Sequence, residues 1–109
     1  MSGTKHKVFT ILLVEDDAGD VDMFLRTVEH ELPRHEDEQV TLVINATAEG
    51  ALERLQQQPI DLIIADVRLP GMSGIELLRR VQDLHRRIPV IIACWVRAIE
   101  TVIYAMRHG

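Results

Sequence analysis

Acidic residues follow two separate apolar runs of this chain. Glu15, Asp16 and Asp17 come after FTILLV, and Asp66 comes after IDLIIA. If the two runs are neighbouring parallel strands, these carboxylates meet at one edge of a sheet, beyond the carboxyl ends of the strands. Carboxylates held close together repel one another, and a hard cation that takes oxygen ligands relieves that repulsion. The pattern therefore predicts a Mg²⁺ site suited to joining a carboxylate and a phosphoryl group.

Each acidic group also has a structural interpretation. Acids are common at the start of helices, where they accept from free N–H groups and suit the helix dipole. Residues 15–17 alone, or Asp66 alone, are therefore more typical of a helix start than of a catalytic site. Their joint occurrence favours a site, because LPGMSG follows Asp66. Gly71 and Gly74 in that string let the backbone lie close to whatever binds over Asp66.

Four short apolar runs predict the strands that would carry these groups. The first is rich in β-branched and large apolar residues without polar alternation, which is typical of a strand buried on both faces. The predicted strands cover residues 9–14, 40–44, 60–65 and 90–93. The first therefore ends before Glu15, the third before Asp66 and the fourth before Cys94.

Amphipathic stretches between these runs predict helices. Apolar residues recur at helical spacing from about Ala18 up to Pro33, and again from a Thr47 N-cap up to Pro59. Ser73 with Glu76 three positions later forms a capping box for a third helix, and residues 99–106 predict a fourth. Strands that alternate with helices pair in parallel through right-handed crossovers, so the chain is expected to form an α/β layered sheet.

Composition narrows the class of protein. A length of 109 residues, 47% of them hydrophobic, suits one globular domain. A net charge of −5 and no Lys/Arg run longer than a pair argue against direct nucleic-acid binding. Cys94 is the lone cysteine, which excludes an internal disulfide and suits a reducing compartment. No apolar run approaches the roughly 20 residues of a membrane span, so we expect a cytoplasmic protein without membrane contact.

Three strings together resemble the receiver domain of two-component response regulators. They are ILLVEDD, DLIIADVRLPGMSGIELL and RIPVII, and the resemblance extends over essentially the whole chain. It implies a three-layer, flavodoxin-like α/β fold with a parallel sheet in the order 2-1-3-4. The family continues past a glycine equivalent to Gly109 into a fifth strand, a lysine and a fifth helix, which this sequence does not contain. We therefore expect a single receiver-like domain over residues 1–109 that is incomplete at its C-terminal end.

The resemblance also assigns roles to individual residues. It implies that Asp66 accepts the phosphoryl group and that Glu15, Asp16 and Asp66, with the backbone carbonyl of Arg68, hold Mg²⁺. Asp17 lies next to the acidic pair without belonging to it. Cys94 occupies the position of the usual Ser or Thr that hydrogen bonds to the phosphoryl oxygen, and a thiol is a weak donor. Trp95 stands where the family has a small residue.

Signal relay by reversible phosphorylation is the function that this resemblance implies. The phosphoryl group would come from a histidine kinase or a phosphotransfer protein, and the domain would catalyse at most its own phosphorylation and dephosphorylation. A pseudo-receiver without a working phospho-switch is the alternative, which Cys94, Trp95 and the absent lysine favour. A hydrolase of the haloacid-dehalogenase kind fits less well, because it needs an aspartate where this chain has Arg68.

The expected absence of a fifth strand and helix has a consequence for assembly. The edge of the fourth strand and one face of the sheet would then be uncovered, and both are unfavourable in water. We therefore expect either a homo-oligomer that forms through these surfaces or a domain of a longer chain.

Overall fold

The computed structural model describes residues 7–31, 38–84, 87–93 and 107–108. Within these ranges strands and helices alternate: β1 Lys7–Val14, α1 Ala18–Glu31, β2 Glu38–Asn45, α2 Ala48–Gln57, β3 Leu62–Asp66, α3 Gly74–Leu84 and β4 Val90–Ala93. The helix predicted over residues 99–106, together with Cys94 and Trp95, lies outside the described residues. No helix in the described ranges is long and apolar enough to cross a membrane.

The strands form one parallel sheet in the order β2-β1-β3-β4, as predicted. β1 pairs with β2 over all eight residues of both strands, but with β3 only from Ile11 to Val14. At the carboxyl ends the strands are nearly level, because Val14 lies opposite both Asn45 and Ala65. The residues that follow β1 and β3 are therefore brought side by side.

Helices cover the sheet in two layers. Apolar residues of β1 and β3 pack with those of α2 and α3 in one buried cluster: Leu12, Val14, Ala48, Ala51, Leu55, Ile60, Ile63, Ala65, Leu77 and Val81. From β1 the chain moves to β2 at one edge of the sheet, whereas the connections that contain α2 and α3 move it the other way, towards β4. Right-handed crossovers therefore place α1 on the opposite face, which gives the expected three layers.

The predicted helix caps are present. Thr47 Oγ1 accepts from Gly50 N at 3.0 Å at the start of α2, and Ser73 Oγ accepts from Glu76 N at 3.1 Å at the start of α3. The Glu76 carboxylate accepts from Arg80 Nε one turn later, at 3.3 Å. The bonds to Thr47 and Ser73 satisfy backbone N–H groups that a helix leaves free in its first turn, whereas the bond to Glu76 joins two side chains.

The third strand begins two residues later than predicted. It starts at Leu62 rather than at residue 60, because Asp61 bonds β1 in a different way. Asp61 N donates to Thr10 O at 2.8 Å, and Thr10 N donates to the Asp61 side chain at 2.7 Å. Ile60 is buried in the core without belonging to the strand. β1 and β2 are longer than predicted, since their mutual pairing begins at Lys7 and Glu38.

Asp61→Ala is expected to lower the free energy of unfolding by about 1 to 3 kcal/mol. The substitution leaves the N–H of Thr10, a buried residue, without its acceptor. Urea denaturation measures the change. Asp61→Asn keeps a side-chain oxygen at the same place and serves as the control, with a smaller expected loss. Equal stability of Asp61→Ala and the wild type would show that water replaces the carboxylate at no cost.

Candidate phosphoacceptor and metal site

Three carboxylates converge at the carboxyl ends of the two central strands. Glu15 and Asp16 follow β1, and Asp66 is the last residue of β3. Each offers one oxygen, and these oxygens lie within 4.8 Å of one another. The three side chains meet because β1 and β3 are neighbouring strands. Their roles as metal ligands and phosphoacceptor stay predictions.

Glu15 is the buried member of the cluster, with 2% of its surface exposed. Its backbone N–H donates to Asn45 O at 3.0 Å, which extends the pairing of β1 and β2 by one residue. Its Oε1 accepts from Asp17 N at 2.9 Å. Glu15 is thus held by the sheet on one side and by the turn into α1 on the other, so its carboxylate has a fixed position.

Asp17 starts a helix, which is the structural alternative given above for acids in this run. Its Oδ1 accepts from Asp20 N at 3.0 Å, and its carbonyl accepts from Val21 N at 3.0 Å. These two bonds make Asp17 the N-cap of α1. Asp17 therefore starts the helix, and the carboxylate cluster contains only its two predecessors from this acidic run.

Asp66 is half-buried and is oriented by the loop that follows it. Its Oδ1 accepts from Arg68 N at 3.2 Å, an arrangement in which an aspartate side chain bonds to the backbone two residues on. Arg68 itself is exposed, and its predicted role as a carbonyl ligand stays a prediction. The bond holds the carboxylate of Asp66 at the end of β3, beside Glu15 and Asp16.

The loop from β3 to α3 is held down by small and apolar residues. Leu69 and Met72 pack against the core cluster, and Gly71 has a φ of +75°, which favours glycine. Gly74 N donates to Val67 O at 3.1 Å, and a Cβ at Gly74 would overlap the Asp66 carbonyl oxygen. Gly74 thus lies against the backbone of Asp66 itself, whereas the group nearest Gly71 is the Glu49 side chain. The predicted role of both glycines in admitting a group bound over Asp66 stays a prediction.

Sequence reasoning missed two residues, one that bonds to Glu15 and one beside the loop that follows Asp66. Asn45 ends β2, and its carbonyl accepts from Glu15 N. Glu49 lies in the first turn of α2, and its Oε2 is 2.9 Å from the place of a Cβ at Gly71. A polar residue directly after an apolar run was the available signal for Asn45. Nothing in the spacing of Glu49 indicates its proximity to the loop, because that contact depends on how α2 packs.

Mg²⁺ fits the donor set of this cluster. All three residues offer carboxylate oxygens, the ligand type that Mg²⁺ prefers. Ligands of an octahedral ion at about 2.1 Å lie about 3 to 4 Å from one another, so oxygens already within 4.8 Å need only small side-chain rotations. Such an ion would also offset the repulsion among three neighbouring carboxylates.

A profile of the response regulator receiver domain matches residues 11–109. The chain belongs to this family. Receiver domains of response regulators take part in phosphorelay signalling within two-component systems. The match includes Glu15, Asp16 and Asp66, so the carboxylate cluster lies inside the matched receiver domain.

The receiver domain is also similar to part of longer regulatory proteins. It is 37% identical over 70 residues to the luminescence regulatory protein LuxO of Vibrio campbellii, which covers 64% of this chain and 16% of that protein. It is 37% identical over 59 residues to the transcriptional regulatory protein ZraR of Escherichia coli K12, over 54% of this chain and 13% of that protein. The aligned segments thus span only about a sixth and an eighth of the length of these two relatives.

Solved structures agree on the fold. The signal receiver domain of an HD domain-containing protein from Pseudomonas fluorescens superimposes with a TM-score of 0.67 at 26% identity, over 84% of this chain and 61% of that one. The response regulator TrrA of Thermotoga maritima, solved with Mg²⁺ and beryllium fluoride, gives 0.66 at 21% identity, over 77% of this chain and 67% of that one. The flavodoxin-like receiver fold is therefore confirmed for the described strands and helices.

Proposed function

We propose that this receiver domain relays a signal by Mg²⁺-dependent phosphorylation of Asp66. The phosphoryl group would come from a histidine kinase or a phosphotransfer protein. The observation that supports this most directly is the convergence of Glu15, Asp16 and Asp66 at the ends of two central strands. A single acidic residue at the start of a helix would not support a phosphorylation site, since acids cap helices in many proteins.

Asp66 is the nucleophile in this proposal. A carboxylate oxygen attacks the phosphorus of the phosphohistidine in line with the bond to the imidazole nitrogen; a P–O bond forms, the P–N bond breaks, and the imidazole leaves. Because a carboxylate is a weak nucleophile, positioning and electrostatic stabilisation supply most of the rate. The bond from Arg68 N fixes the carboxylate before the donor arrives.

The remaining residues have supporting roles. Glu15 and Asp16 hold Mg²⁺ together with Asp66, and the Arg68 carbonyl completes the protein's share of the ligands. When bound, Mg²⁺ supplies positive charge that offsets the negative charge of the phosphoryl group. Cys94, at the position of the usual hydroxyl, would bond the phosphoryl oxygen only weakly. We expect this domain to act in the cytoplasm, as a homo-oligomer or as a domain of a longer chain. The length of LuxO, of which the aligned segment is 16%, supports the second.

The test is phosphorylation by acetyl phosphate at increasing Mg²⁺ concentration, read by intact mass. We expect one phosphoryl group per chain, none when the metal is chelated, and a requirement for about tenfold or more Mg²⁺ in Asp16→Asn, because that variant lacks one metal ligand. Asp22→Asn changes the net charge equally at an exposed position on α1 and should behave as the wild type.

A wild type that takes up no phosphoryl group at any Mg²⁺ concentration, while its fold is intact, would contradict the relay. That outcome would instead favour the pseudo-receiver, which keeps the receiver fold as an interaction module. A wild type phosphorylated equally well after metal chelation would contradict the metal site alone.

A further inference from the structure

β2 is the end strand of the sheet among the residues that the structure describes. The carbonyl of Asn45 points towards β1, because it accepts from Glu15 N. Backbone groups alternate in direction along a strand, so the even-numbered residues of β2 direct their N–H and C=O groups away from β1. The outward residues are Glu38, Val40, Leu42 and Ile44.

This outer edge has few of the features that prevent strands from pairing with other chains. Natural edges are short, or they carry charges, prolines or bulges. β2 is eight residues long, has no proline, and has one ionisable residue, Glu38, at its beginning. The side chains of Val40 and Ile44 are 42% and 39% exposed. Among residues 7–31, 38–84, 87–93 and 107–108, the edge therefore presents both backbone groups without a strand partner and apolar surface.

We propose that two copies of this chain associate through the outer edges of β2, antiparallel about a two-fold axis at Leu42. Val40 then lies opposite Ile44 of the partner subunit, and Leu42 lies opposite its own copy. The Leu42 pair and both symmetry copies of the Val40–Ile44 pair are hydrogen-bonded pairs, since these residues direct their backbone groups outward. The two sheets become one continuous sheet, and the interface is isologous, as in most symmetric dimers.

The side chains of β2 match their own copy in this register. Val40, Leu42 and Ile44 form one apolar stripe, and pairs of β-branched and aliphatic residues across strands are stabilising. On the other face the register places Gln39 opposite Asn45 and Thr41 opposite Val43, so that face brings no charges together. Glu38 lies opposite Ala46. No like charges meet within the paired segment, although the chain as a whole carries a net charge of −5.

The pairing is independent of the proposed phosphorylation. Asp66 and its neighbours lie at the ends of β1 and β3, and the bond from Glu15 N uses the inner side of β2. The dimer therefore leaves the carboxylate cluster open. Because the strands of the two copies run in opposite directions across the axis, the two clusters face opposite ends of the joined sheet.

Sedimentation velocity over a concentration series, carried out without phosphodonor, tests the association. We expect a monomer–dimer equilibrium for the wild type and a dissociation constant raised about tenfold or more by Val40→Lys or Ile44→Lys, because each dimer then carries two lysines in the apolar stripe. Ile91→Lys is the matched control: Ile91 is 51% exposed on β4, at the other side of the sheet. It should change the dissociation constant less than twofold.

Disulfide trapping tests the register. In a Cys94→Ser background, Leu42→Cys should form a cross-linked dimer under mild oxidation, because a hydrogen-bonded antiparallel pair has its Cα atoms about 5.5 Å apart. Ile44→Cys should not, because its two copies are separated by four residues along the strands. A monomeric wild type, dimers abolished by Ile91→Lys alone, or equal cross-linking at both positions would each overturn the proposal.

Discussion

The Asp66→Asn variant is expected to take up no phosphoryl group under conditions that label the wild type fully. An amide does not form the acyl phosphate that a carboxylate forms, so the loss follows from chemistry rather than from a changed fold. The amide oxygen can still accept from Arg68 N, and the side chain has nearly the same shape. Intact mass after incubation with acetyl phosphate and Mg²⁺ measures the result.

Asp83→Asn is the matched control for this experiment. It makes the same chemical change at an exposed position of α3 and should leave the labelling unaltered. Full labelling of Asp66→Asn would move the acceptor to another residue, and peptide mapping would then identify it. The thermal unfolding of both variants should match the wild type, which separates loss of the acceptor from loss of the fold.

Gly74→Ala is expected to destabilise the domain by about 3 kcal/mol or more. A Cβ at this buried position would overlap the Asp66 carbonyl oxygen and lie 2.9 Å from the Asp66 carbonyl carbon and 3.2 Å from Val67 Cα. All three atoms belong to backbone, so no side-chain rotation relieves the contact. The backbone at Asp66 must move, and we expect weaker Mg²⁺ binding by whatever part of the protein remains folded. Urea denaturation measures the loss of stability.

Gly19→Ala provides the comparison for this substitution. Gly19 lies in the first turn of α1, and the nearest atom to its added Cβ is the Asp17 Oδ1, at 3.1 Å, on a side chain. Alanine favours helix over glycine by roughly 0.5 to 1 kcal/mol, but the Asp17 oxygen that caps α1 must shift slightly to make room. The two effects oppose each other, so the stability should stay within about 1 kcal/mol of the wild type. A Gly74→Ala protein as stable as Gly19→Ala would show that the start of α3 shifts freely.

The parts of this molecule that follow from local pattern could be predicted from sequence. The apolar runs identified the strands, and the side chains of Thr47 and Ser73 cap the helices that they were predicted to start. The carboxylate cluster needed one further element, the order of the strands, which the resemblance supplied. Without that order, residues 15–17 and Asp66 are two separate acidic positions with no reason to meet.

The parts that depend on packing could not be predicted in the same way. The start of β3 is decided by Asp61, whose side chain takes the place of a strand carbonyl for Thr10 N. A carboxylate in that role is not visible in an apolar pattern. The residue pattern alone did not separate Asp16 from Asp17 either. The resemblance left Asp17 outside the acidic pair, and in the structure Asp17 caps α1 while Asp16 belongs to the carboxylate cluster.

β1 pairs with β2 over eight residues but with β3 over only four. The length of β1 at its amino end therefore does not affect the geometry of the carboxylate site. β1 and β2 extend together past the start of β3, and all of this overhang is at their amino ends, whereas the carboxyl ends are level. Lys7 stands roughly 23 Å from Val14 at the usual rise per residue. Additions, deletions or a fluorescent label at the beginning of β1 would therefore change the structure far from the carboxylates. The pairing of β1 with β3 next to the site would stay the same.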